Sequence, residues 1–63
     1  MMSHENLRQM SNKELLELAI DKGRERFNLL IQKSLGQLVK TDQLQKLRTD
    51  IARINSVISE RYE

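Results

Sequence analysis

Sixty-three residues carrying a formal charge of +2, with one histidine and neither cysteine nor proline, allow a single small domain. That size leaves no room for a deep core or a buried catalytic cleft. The missing cysteines exclude disulfides and thiolate metal sites, and the lone His4 does not supply a histidine-based zinc site. No run of about 18 apolar residues exists, and the polar start lacks a signal-peptide core, so a soluble cytosolic chain is expected.

Residues 1–10 read as a short lead-in of about one helical turn, with Leu7 and Met10 folding onto the rest. Ser11-Asn12-Lys13-Glu14 fits a capping box, in which the serine hydroxyl and the glutamate carboxylate satisfy free amides of a first turn. A first helix is predicted over about 11–35. Its broad apolar face takes Leu16, Ala19, Ile20, Gly23, Phe27, Leu30, Ile31 and Leu38, near 100° per residue. Gly23 costs about 1 kcal/mol relative to alanine inside a helix. Close approach of a second helix or of an RNA backbone would justify it, and so would simple tolerance.

A second stripe on this helix mixes Leu15, Leu18 and Leu29 with Lys22, Arg26 and Lys33. A hairpin needs only one apolar seam, so this stripe is either a contact surface or is covered in part by Leu7 and Met10. The helix is expected to end near Leu35-Gly36, where Gly36 can take a left-handed cap. After a turn over 36–41, Thr41 or Asp42 caps a second helix over about 42–60. Its stripe of Leu44, Leu47, Ile51, Ile54 and Ile58 alternates by three and four, the seam of an antiparallel hairpin. The expected fold is all-α: a coiled-coil-like, antiparallel two-helix hairpin with a short N-terminal helical lead-in, one domain over residues 1–63. A hairpin of this size is marginal alone and gains order from a partner.

Charge is unevenly placed. From Lys22 to Arg48 there are seven bases against two acids, and elsewhere four bases against seven acids. Such asymmetry suits one end of the molecule to a polyanion, although chance clustering in so short a chain competes. In the run from Arg48 to Ser56, the isoleucines face the seam, Arg53 leaves the opposite side and Arg48 sits at the margin. Arginine forks match phosphate oxygens in geometry and charge, which makes this helix a candidate RNA-facing surface. The plainer alternative is that solvated arginines merely keep an amphipathic helix soluble.

The remaining candidates are Arg24, Arg26, Lys33 and Lys40 around the turn end, and Lys46 and Thr49 on the second helix. They would grip phosphates and sugars, reading shape rather than sequence. Ala52, Ser56 and Ser59 leave a low surface over which a backbone could pass. Phe27 is most simply core, and with Tyr62 it offers no stacking platform for single-stranded bases. Glu17, Asp21 and Glu25 form a solvated acidic face rather than a metal site. No glycine-rich phosphate loop, cofactor motif or catalytic constellation is present, and His4 has no evident role.

Taken in order, Asn6-Leu7-Arg8, Ser11-Asn12-Lys13-Glu14-Leu15, Phe27-Asn28-Leu29, Gly36-Gln37-Leu38 and Arg48-Thr49-Asp50-Ile51-Ala52-Arg53-Ile54 resemble the bacterial ribosomal protein twenty-nine family of the large subunit. The resemblance runs over essentially the whole chain. It implies a helical hairpin bound to large-subunit ribosomal RNA near the nascent-peptide tunnel exit, beside ribosomal protein twenty-three, where targeting factors and chaperones are received. It implies a structural role without catalysis or cofactor, with Arg8, Arg48 and Arg53 as RNA-contacting bases. Phe27, Asn28 and Gly36-Gln37-Leu38 stand at the family's structural signature positions. Leu30 stands where the family often has arginine, and Thr49 where it is frequently basic, which puts those individual contacts in doubt.

Two other classes compete with a ribosomal structural protein. One is a homodimeric interaction module that pairs its spare apolar stripe into a four-helix bundle. The other is a dimeric all-helical mutase gripping a small dianion, which the almost wholly aliphatic inward positions disfavour.

Overall fold

The computed structural model describes residues 3–62, so Met1 and Met2 of the expected lead-in lie outside the described residues. Three helices follow one another: α1 (His4–Arg8), α2 (Asn12–Ser34) and α3 (Thr41–Arg61). The long pair α2 and α3 pack side by side, and α1 lies against α3. The result is a rod of 41 × 18 × 17 Å. Its length is set by α2, whose 23 residues rise about 1.5 Å each.

Each start and stop has a local cause. The Ser3 hydroxyl accepts from the Asn6 N–H at 3.2 Å, opening α1. The Ser11 hydroxyl accepts from the Glu14 N–H at 3.1 Å, as the capping box requires. The Glu14 carboxylate departs from that pattern: it accepts from the Ser11 hydroxyl, at 3.0 Å. α2 ends in a Schellman motif. Gly36 adopts φ +83°, its N–H donates to the Lys33 carbonyl at 3.1 Å, and the Gln37 N–H donates to the Gln32 carbonyl at 3.0 Å. At α3 the expected cap is corrected. The helix begins one residue early, so Lys40 is the N-cap, and its donor-only ammonium makes no side-chain capping bond. Thr41 is therefore its first helical residue, and Asp42 lies in the first turn, where its charge complements the helix dipole.

The buried core gathers at the end of the rod that holds α1. Leu7, Leu15, Ile54 and Val57 are fully enclosed, with Met10, Leu18, Ala19 and Ile58 packed around them. The α3 seam follows the expected stripe: Leu47 and Ile54 are buried, and Leu44, Ile51 and Ile58 are half-buried. Val57 joins them, outside that stripe, because α1 packs on α3 and widens its buried arc.

The apolar face assigned to α2 is corrected. Leu15 is buried and Leu18, Lys22 and Leu29 are half-buried, whereas Leu16, Ile20, Phe27, Leu30 and Ile31 are exposed, Phe27 at 64%. Phe27 is thus a surface side chain. Leu38, expected on the helix, lies in the turn and is fully exposed. The mixed stripe wins for two reasons. Leu15 and Leu18 pack in the cluster that holds Leu7, Met10 and Val57, and Lys22 crosses the seam to place its ammonium 3.9 Å from the Asp50 carboxylate. A lysine stem is apolar enough to line a seam provided its head finds water or a counter-ion. Gly23 has no close neighbour: a Cβ added there meets nothing within 4 Å. Within the chain, helix approach does not account for it.

Candidate nucleic-acid interface

The cations divide into those the fold engages and those it displays. Arg8 forms a fork with Glu60: its Nε donates to Oε2 at 3.2 Å and its Nη2 to Oε1 at 3.1 Å. That hydrogen bond, with the attraction of the opposite charge, raises the Arg8 pKa, and it holds the Glu60 carboxyl below the usual carboxylate range. Both side chains remain about half exposed, so solvent screens the pair. Arg61 binds two carbonyls of the lead-in and the side chain of Asn12 at the start of α2. Its Nη1 donates to Asn12 Oδ1 at 2.6 Å, and its Nη2 donates to the carbonyls of Met10, at 2.6 Å, and Arg8, at 3.0 Å.

Motif reading missed Arg61 and Glu60. Their partners lie about fifty residues away along the chain, and no local spacing encodes such a contact. The only local signal was a base in the last helical turn, where it complements the dipole.

The other expected residues are placed as follows. Arg24, Arg26, Lys33, Lys40, Lys46, Arg48 and Thr49 are exposed. Arg53 is half-buried on the flank of α3, not opposite its seam. Two flanks result. On one, Lys46, Thr49, Asp50 and Arg53 line a shallow groove that continues past Asp42 and Gln45. On the other, Arg26 of α2 and Arg48 of α3 line a groove with Ile51, Ala52 and Asn55, and a second with Leu30, Leu44 and Gln45. The hairpin thus brings Arg26 to Arg48 and sets Lys46 beside Arg53. Arg8 is held at the far end by Glu60.

Ser56 and Ser59 are exposed, with Ala52, as expected of a low surface. Glu17, Asp21 and Glu25 are solvated, and among the described residues no cluster of acids and histidine has a metal-holding arrangement. No described helix is long and apolar enough to cross a membrane.

Two zipped helices with cations along open grooves define a small all-α helical hairpin. The chain matches the family profile described as ribosomal L29 protein over residues 5–61. It is 42% identical over 60 residues to the large ribosomal subunit protein uL29 of Thioalkalivibrio sulfidiphilus, covering 95% of this chain and 92% of that one. The protein of the same name in Thermosipho africanus is 46% identical over 55 residues, 87% and 83% of the two chains. That of Fusobacterium nucleatum is 38% identical over 60 residues, 95% and 100%. The chain belongs to the ribosomal L29 protein family. This is a family of structural ribosomal proteins rather than of enzymes, which removes the mutase reading.

Proposed function

We propose that this chain is a cytoplasmic structural constituent of the large ribosomal subunit. It binds large-subunit ribosomal RNA near the polypeptide exit tunnel through basic side chains on the hairpin. The observation that carries this reading is family membership over nearly the whole chain. The display of Arg24, Arg26, Lys33, Lys40, Lys46, Arg48 and Thr49 at the surface supports it, with Arg53 on the groove beside Lys46. Cations on a rigid helical rod neutralise phosphates at fixed spacing and brace folded RNA without reading bases. Arg8 takes part by exchanging Glu60 for a phosphate.

The outward apolar face of α2, with Leu16, Ile20, Phe27 and Ile31, is the side we assign to protein neighbours. On this reading they are ribosomal protein twenty-three and, through it, targeting factors and chaperones at the tunnel exit. Exposed apolar area of this kind marks interaction surfaces. The same face would serve a homodimer, so sedimentation velocity separates the readings. A stable, salt-insensitive dimer without affinity for RNA would replace the ribosomal one.

The direct test is co-sedimentation with large ribosomal particles through a moderate-salt wash. With about five phosphates neutralised, the log–log dependence of RNA affinity on salt should have a slope of roughly −3.5 to −4.5. Replacing Arg48 and Arg53 together by alanine should weaken binding with helicity unchanged. Undiminished affinity in that double variant would reject the assigned roles.

A further inference from the structure

We propose that Arg26 and Arg48 form a two-helix cradle for one backbone phosphate of RNA, and that this flank of the hairpin, rather than the Lys46–Arg53 flank, is its principal RNA-facing side. The proposal rests on the RNA-binding reading above and specifies where the polyanion lies. Three observations carry it.

First, the two arginines come from different helices yet line the same two hollows, of about 250 and 150 Å³. They stand between the hollows as a shared saddle. Guanidinium forks approaching from two sides can hold the non-bridging oxygens of a single phosphate bidentately.

Second, the flanks differ in sign. Neither hollow at Arg26 and Arg48 has a carboxylate in its lining, whereas the grooves on the other flank contain Asp50 and Asp42. A carboxylate in a groove repels an entering phosphate and competes for the neighbouring base. The Arg26 and Arg48 side chains have no hydrogen bond or ion pair among the described residues, unlike those of Arg8, Lys22 and Arg61.

Third, the walls beyond the saddle suit a ribose on each side. Besides the two arginines, one hollow is lined by Ile51, Ala52 and Asn55, and the other by Leu30, Leu44 and Gln45. Aliphatic side chains can lie against a sugar, and an Asn or Gln amide can pair with a 2′-hydroxyl, which distinguishes RNA from DNA.

The test titrates the full-length protein against protein-free large-subunit ribosomal RNA. It compares wild type with Arg26→Ala, Arg48→Ala, the double variant and Lys46→Ala, with helicity checked by circular dichroism. Each arginine substitution should weaken binding about tenfold, and Lys46→Ala distinctly less. Because both arginines hold one phosphate, the double variant should fall well short of the product of the two losses. Its salt slope should drop by about one rather than two. Arg26→Lys should recover only part of the affinity, since the ammonium is not a fork. If RNA binds but the losses multiply, or Lys46→Ala exceeds them, the cradle is wrong and the RNA reading stands. If wild-type protein does not bind the RNA, the RNA reading itself fails.

Discussion

At the far end of α3 one guanidinium ties that helix to the lead-in and to the start of α2. Arg61 gives its protons to two carbonyls of the lead-in and to the Asn12 amide oxygen, and those carbonyls lie where α1 has ended and no helical partner remains for them. Replacing Arg61 by alanine should destabilise the protein by about 1–2 kcal/mol in urea unfolding. It should also speed exchange of the Leu7 and Met10 amides, which hold α1 in shape. Unaltered exchange at those two amides would mean that Leu7 packing and the Arg8–Glu60 pair dock the lead-in without Arg61. Arg8 and Glu60 add a pH-dependent contribution. Because the folded Glu60 carboxyl is held low, the pair's stabilisation is complete above the ordinary carboxylate range. It fades as pH falls through the lowered Glu60 value. The raised Arg8 value keeps that partner charged until strongly alkaline pH. Protection of the α1 amides, taken relative to the intrinsic exchange rate at each pH, should therefore fall on acidification, and Glu60→Gln should flatten that response. A variant as acid-sensitive as wild type would locate the titration elsewhere.

At the scale of elements, the two glycines make opposite predictions. Gly36 holds a φ of +83° that an L side chain adopts only under strain, so Gly36→Ala should cost about 1 kcal/mol and loosen the turn. Gly23 is helical and faces open space, so Gly23→Ala should stabilise the free protein by up to about 1 kcal/mol. Thermal melts of both variants check the signs, and a destabilised Gly23→Ala would mean that a neighbour packs against that position in the free protein. The caps at Ser11 and Gly36 and the α3 stripe were legible because each depends on residues within one helical turn. The face of α2 was not. Two stripes competed there, and counting aliphatic side chains favoured Leu16, Ile20, Phe27 and Ile31 over a stripe broken by Lys22, Arg26 and Lys33. Burial follows what stands opposite, and opposite stand Ile54, Val57 and Asp50, which accept Leu15, Leu18 and the Lys22 stem. Val57 was missed for a related reason, since only the docking of α1 brings its side of α3 indoors.

The whole molecule is a rod packed tightly at one end and thinly at the other. Leu15→Ala, at the tight end, should cost about 2–5 kcal/mol. Phe27→Ala should stay within about 0.5 kcal/mol in the isolated protein, although phenylalanine is the larger side chain. Urea denaturation of the two variants compares them directly, and equal losses would return Phe27 to the core. The thin end, with Leu35 and Leu38 in water and Arg26, Lys33 and Lys40 around the turn, is the part a ribosomal setting would cover on our proposal. The sequence by itself determined that the chain is helical, where it turns, which side of α3 is apolar, and which family it belongs to. Those properties come from hydrogen-bonding and periodic patterns local to a few turns, or from motifs in order. Only the tertiary structure decided which stripe of α2 is buried, that Arg8 and Arg61 hold the lead-in, and that Arg26 and Arg48 line the same hollows. Each of these depends on the rotation of one helix about its axis against another, and that angle is chosen by all the packing partners together.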